Sequence, residues 1–186
     1  MSTQANPANT NATAAPEAEK LPTPKAAEKT PTERLDGLKE ALRARISGRR
    51  GALDSIASLS MGSHDKAFKD LCAEAVGSFL TGDGTSTTDR EYAAKTLATM
   101  NSPKAVQYLS TPFTDGQAGK YPTTVRAAAV RALIGQISLP MSDPKTREHA
   151  LKTIKSVAER DRYDPRKEAQ TYLARLEEIK RKNEGA

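Results

Sequence analysis

An alanine followed four residues later by a leucine recurs in three stretches: Glu91-Tyr92-Ala93-Ala94-Lys95-Thr96-Leu97, Arg126-Ala127-Ala128-Ala129-Val130-Arg131-Ala132-Leu133 and Lys167-Glu168-Ala169-Gln170-Thr171-Tyr172-Leu173. Leu97 and Leu133 stand 36 positions apart, and Leu133 and Leu173 stand 40 apart. Periods of this size belong to architectures in which one repeat is a pair of antiparallel helices stacked on the next pair. Small alanines let two helices approach and the leucine fills the space below, so the pattern constrains architecture more than task.

Composition agrees with a helical core and sets limits on function. The chain has 186 residues, enough for one ordinary domain and a tail, with 4% aromatic residues and no Trp. Its core must therefore come from Ala, Leu, Ile and Val, a mix that favours helices. No run of alternating β-branched residues lies between turn signals, so no strand is expected and the fold class is all-α. Cys72 is the single cysteine, which excludes an intramolecular disulfide and a thiolate zinc cluster. No stretch approaches the roughly 18 consecutive apolar residues of a membrane span, and the N-terminus lacks the pattern of a secretory signal. A soluble, cytoplasmic protein with no membrane partner is expected.

The helix signals run in order along the chain. Residues 1–30 hold one Leu and no aromatic residue, too little apolar surface to offset an ordering entropy of about 1–2 kcal/mol per residue, so this segment is expected to be a disordered tail. Thr30-Pro31-Thr32-Glu33 forms a capping box with Pro at the first helical position. It opens a helix with Leu35, Leu38, Leu42 and Ile46 inward and Gly48 as its stop. A short helix from about Arg50 to Met61 buries Leu53, Ile56 and Ala57. From Asp65 to Leu80, with Ser63 as cap, the residues Phe68, Leu71, Cys72, Ala75, Val76 and Phe79 form an amphipathic stripe. Residues 31–80 make an irregular front half; a loop from Thr81 to Thr87 separates it from residues 88–182.

In this back half Thr88-Asp89-Arg90-Glu91 reads as a second capping box, Ser102-Pro103 starts a shorter helix with Val106 and Leu109, and a loop spans Thr111 to Pro122. Val125, Ala129, Ala132 and Leu133 mark the next buried stripe. Asp143-Pro144 starts a helix with Ala150, Leu151, Ile154, Val157 and Ala158 inward. Asp164-Pro165 starts the last, with Ala169, Tyr172, Leu173, Leu176 and Ile179. Eight helices follow from these signals.

Val125 to Leu133 resembles the first helix of a HEAT or HEAT-like repeat of the armadillo type, Asp164 to Leu173 resembles the opening of another, and Asp89 to Leu109 resembles a whole repeat. The resemblance spans residues 88–182 and implies a short α-solenoid. Helices before residue 81 lack the Ala-to-Leu signature, and a bundle-like helical globule would give nearly the same stripes. Members of this family mostly act as scaffolds that hold other proteins, so the resemblance implies a non-catalytic protein-binding adaptor.

Candidate chemistry is sparse. His64 and His149 are the only histidines, and neither has acidic neighbours at a repeated ligand spacing, so no metal and no cofactor are expected. Cys72 lies on an apolar stripe and reads as a small buried hydrophobe. Gly82-Asp83-Gly84 lacks the lysine of a phosphate loop, and Asp54, Asp65 and Asp70 fall on separate turns. No catalytic residue emerges and an enzyme is not expected. The exposed charges beside the Ala/Leu seams, Arg126, Arg131, Lys95 and Glu91, are the candidate partner-binding residues.

Net charge is +6, with the excess at the two ends of the region expected to fold and both ends mixed in sign. A cluster at Arg43, Arg45, Arg49 and Arg50, joined by Lys180, Arg181 and Lys182 if the ends meet, could bind an anion or nucleic acid. Some HEAT-like proteins, alkylpurine DNA glycosylases among them, bind duplex DNA through a basic concave face. Few aromatic residues are available to stack on bases, and cations in the last turn of a helix have an ordinary role opposite its dipole. A structural subunit of a larger assembly is the third reading.

Overall fold

The computed structural model describes residues 29–44, 48–139 and 143–184. Residues 1–28 of the expected tail, together with Arg45 and Ile46, lie outside the described residues. The chain is all-α. The described residues form eight α-helices and no strand: α1 (Pro31–Arg43), α2 (Arg49–Gly62), α3 (Lys66–Thr81), α4 (Thr87–Ala98), α5 (Pro103–Ser110), α6 (Thr123–Ser138), α7 (Pro144–Arg160) and α8 (Tyr163–Glu184). Two 3-10 turns, Thr111–Phe113 and Ala118–Lys120, break the connection between α5 and α6.

Most helix starts have a local chemical cause. The Thr30 hydroxyl accepts from the Glu33 amide while Glu33 accepts from the Thr30 amide, completing the expected capping box. This pulls the Glu33 carboxyl below its ordinary pKa, chiefly through the Thr30 backbone bond. Ser102 and Asp143 cap α5 and α7, each followed by Pro at the first position. Two expected caps move. Asp65, not Ser63, caps α3 by accepting from the Ala67 amide at 2.9 Å, while Ser63 accepts from the Asp65 amide. Ser86, not Thr88, caps α4 by accepting from the Asp89 amide at 3.1 Å. In both cases a competing oxygen two positions away had the geometry to reach the first turn.

Each helix packs on the next in sequence and on the next but one. The three Ala/Leu seams therefore fall on consecutive members of one row, since α4 packs on α6 and α6 on α8. Ala93, Leu97, Ala129, Leu133 and Ala169 are fully buried, and Leu173 is packed against this core. The other row runs through α1, α3, α5 and α7. Helix α6 contacts α4, α5, α7 and α8, and it buries residues around most of its circumference, Ala127, Ala128 and Val130 included. This central placement leaves α6 little free surface.

Three core features depart from the expected stripes, the simplest being Ile179 near the end of α8, expected inward but 49% exposed. On α3 the buried set is Phe68, Cys72, Ala73, Val76, Gly77 and Leu80, whereas Leu71 is 43% exposed. The face is rotated because Gly77 meets α5 closely: a methyl carbon there would lie 2.1 Å from ring atoms of Tyr108. On α6 the fully buried Gln136 donates through Nε2 to the carbonyls of Leu97 and Met100, both at 2.6 Å. These carbonyls lie at and just beyond the C-terminal end of α4, where that of Leu97 also accepts from the Met100 amide and that of Met100 from the Ser102 amide. Gln136 thus ties the end of α4 to α6. No described helix is long and apolar enough to cross a membrane.

Candidate interaction face

Arg126 and Arg131 lie five positions apart on α6 and have different surroundings. The Arg126 guanidinium pairs with the Asp161 carboxylate at the corner between α7 and α8, and the two side chains are only 13% and 8% exposed. Asp161 also accepts from the Arg162 amide at 2.6 Å. The expectation that Arg126 is a free surface charge is therefore corrected: it pins the α7–α8 corner to α6. Arg126 and Asp161 are 35 positions apart, and helical periodicity reports only which side of a helix a residue occupies, not what a distant corner brings there.

Arg131 does reach the surface. Its guanidinium lies 3.4 Å from Glu168 on α8, with the side chains 58% and 36% exposed. A groove of about 390 Å³ runs beside this pair, lined by Glu91 of α4, Thr124 and Arg131 of α6, and Asp164, Lys167 and Glu168 of α8. Glu91 and Arg131, named from sequence, are thus brought to one groove. Lys95 is exposed one turn beyond Glu91.

The polar surface continues onto α2. There the Tyr92 hydroxyl of α4 donates to both carboxylate oxygens of Asp54, at 2.8 and 2.9 Å, and the Arg50 guanidinium sits 5.3 Å from the centre of the Tyr92 ring. The hydrogen bond to Asp54 pushes the Tyr92 hydroxyl pKa up. Asp54 and Tyr92 therefore hold α2 and α4 together at the surface, a pairing that sequence spacing does not signal.

The basic residues named from sequence do not form one patch. Helix α1 packs on α2 and α3, whereas α8 packs on α6 and α7, so the two basic ends are carried by opposite ends of the packing order. Arg49 is held internally: it pairs with Asp89 at 3.5 Å, donates to the Ala44 carbonyl and lies 5.5 Å from the Phe79 ring centre. Arg43 pairs with Glu40, Lys182 with Glu178 and Lys180 with Glu184. Arg181 stands exposed in the last turn of α8. Mixed, mostly paired charge of this kind is a poor track for a polyanion.

Residues capable of bond chemistry are scattered. Cys72 is fully buried, and its burial pushes the thiol up to about 11. Such a thiol is protonated and unreactive at neutral pH. His64 and His149 are both exposed. Asp65 caps α3, Asp70 accepts from the Ser102 hydroxyl and Asp54 holds Tyr92, so the three carboxylates serve separate structural tasks. Among the described residues no group of three or more His, Cys, Asp or Glu could hold a metal ion. Gly84 takes a positive φ of 78° in the connection before α4, where Arg90 donates to the Gly82 carbonyl at 2.9 Å. Ser86 already occupies the start of α4, which removes the argument for an anion site there. No protein-family model, no curated protein and no solved structure matches the chain.

Proposed function

We propose that the chain is a non-catalytic binding module of HEAT-like design, working in the cytoplasm and holding another protein against the face formed by α4, α6 and α8. The observation that carries this reading is the groove beside Arg131 and Glu168, which gathers charges of both signs from three helices of one packed row. Rigid helices present such groups in fixed register, and a rim of mixed charge favours orientation and partner choice over indiscriminate attraction. The HEAT-like resemblance supports the same use, since stacked helix pairs expose extended surfaces of this kind.

Affinity capture from the native cell, with nuclease treatment, tests the proposal. A partner retained after nuclease and lost with Lys95→Glu/Arg131→Glu, at unchanged melting temperature, is the expected result. Loss of all captured protein on nuclease treatment would replace this reading with nucleic-acid binding.

A further inference from the structure

A second cavity, about 480 Å³, lies between the α5–α6 connection and the α7–α8 corner, where Arg126, Arg160, Arg162, Asp115, Asp161 and Tyr163 line it. Its charges are unequal in availability. Asp161 is taken up by the Arg126 guanidinium and the Arg162 amide and is nearly buried. Arg160 and Arg162, immediately on either side, are exposed, with no ion pair or hydrogen bond from either side chain among the described residues. The acidic member of the Arg160-Asp161-Arg162 run is thus neutralised internally while its two cationic neighbours are not. Asp115, exposed on the facing connection, is the only other carboxylate among the described lining residues.

Tyr163 adds an apolar surface at the same place. Its φ of +59° is the one positive φ of a non-glycine residue among those described, and the side chain is 76% exposed. A bulky residue in the left-handed region is strained and persists only where its surroundings hold it. Here the flanking Asp161 bonds fix the corner, and the ring is left in solvent at the mouth of the cavity.

We propose that this cavity docks an acidic linear segment of a partner protein, with its carboxylates on Arg160 and Arg162 and an adjoining side chain against the Tyr163 ring. Arg favours planar, bidentate recognition of carboxylates. A bounded cavity with two unpaired cations and a nearby Asp suits a few peptide carboxylates better than a phosphodiester backbone, which follows a longer and more one-sided stripe. The proposal rests on the protein-binding reading and adds a contact to it. The cavity and the groove share the first turn of α8, with Tyr163 in one and Asp164 in the other.

The test is selection of a displayed library of random dodecapeptides on the full chain, followed by affinity measurement of the enriched peptides and of a single-stranded DNA oligonucleotide of similar length. Enriched peptides rich in Asp and Glu are expected. Their affinity should fall by at least about tenfold, equivalent to 1.4 kcal/mol, with Arg160→Glu/Arg162→Glu, and it should weaken with Tyr163→Ala. Both variants should melt as the parent does, and Lys95→Glu/Arg131→Glu should leave peptide affinity unchanged. No enrichment, enrichment of neutral or basic peptides, equal affinity for the Arg160→Glu/Arg162→Glu variant, or tighter binding of the oligonucleotide would each overturn the proposal. Failure confined to the Lys95→Glu/Arg131→Glu capture experiment would count against the groove and not against this cavity.

Discussion

Arg126→Ala and Arg131→Ala form a matched pair that separates fold from function on a single helix. Removing the Arg126 guanidinium leaves the Asp161 carboxylate, 8% exposed, with the Arg162 amide as its one remaining bonded partner among the described residues. An uncompensated charge at such a site costs about 3–5 kcal/mol. At roughly 2–4 °C per kcal/mol for a domain of this size, the melting temperature should fall by about 6–20 °C. Arg131 is 58% exposed opposite a Glu168 that is 36% exposed, and exposed pairs contribute about 0–1 kcal/mol. Its replacement should shift melting by no more than about 4 °C. Thermal melts followed by far-UV circular dichroism at neutral pH read the difference. A further variant, Arg126→Met/Asp161→Asn, removes both charges while keeping an oxygen for the Arg162 amide, so it should recover most of the loss. Equal melting temperatures for Arg126→Ala and Arg131→Ala would refute the buried-pair argument.

Three other outcomes follow from the packing and the caps. Gly77→Ala should destabilise the chain, because overpacking against the Tyr108 ring, about 1–3 kcal/mol, outweighs a helix-propensity gain of about 1 kcal/mol; a double-mutant cycle with Tyr108→Ala should show the two changes compensating. Asp143 accepts from the Thr146 hydroxyl and from the Thr146 and Lys145 amides, bonds that lower its pKa, with the Thr146 side chain contributing most. Its stabilising effect is full above the ordinary carboxylate range and is lost as pH falls through the depressed value, so the stability gap between parent and Asp143→Ala should shrink only in acid. Cys72, with its thiol raised to about 11 and no exposed surface, should resist a disulfide-exchange reagent at neutral pH and react promptly after denaturation.

Features written in a few adjacent residues were legible before any fold was known. Thr30-Pro31-Thr32-Glu33 works as a cap because the bonding groups are three positions apart, and Ser102-Pro103 and Asp143-Pro144 signal helix starts for the same local reason. The alanine-leucine seams were legible because burial repeats with the helix period. Gly77 and Ala73 carry a signal that the larger Leu71 masks, since small residues four apart mark a close helix approach as clearly as large ones mark a core. Gln136 had a readable signal too, a polar residue three positions after Leu133 on a buried stripe, but its targets at the end of α4 were not readable. The Arg126–Asp161 pair left no local trace, and the groove residues Asp164, Lys167 and Glu168 become neighbours of Arg131 only once α8 packs on α6.

That packing makes both proposed contacts depend on a residue that lines the cavity but is spent on Asp161 rather than offered to a ligand. Arg126 holds Asp161, and Asp161 fixes the corner from which α8 departs. The start of α8 supplies Tyr163 to the cavity and Asp164 to the groove. Loosening the corner therefore displaces one wall of each, and both affinities should weaken together even though every surface side chain is retained. Charge changes at Arg131 or at Arg160 and Arg162 should instead act on one contact at a time. A variant at Arg126 that lost partner binding would say little about recognition unless its melting temperature were measured alongside, because the same guanidinium that sequence position offers as a surface charge is what seats the last helix.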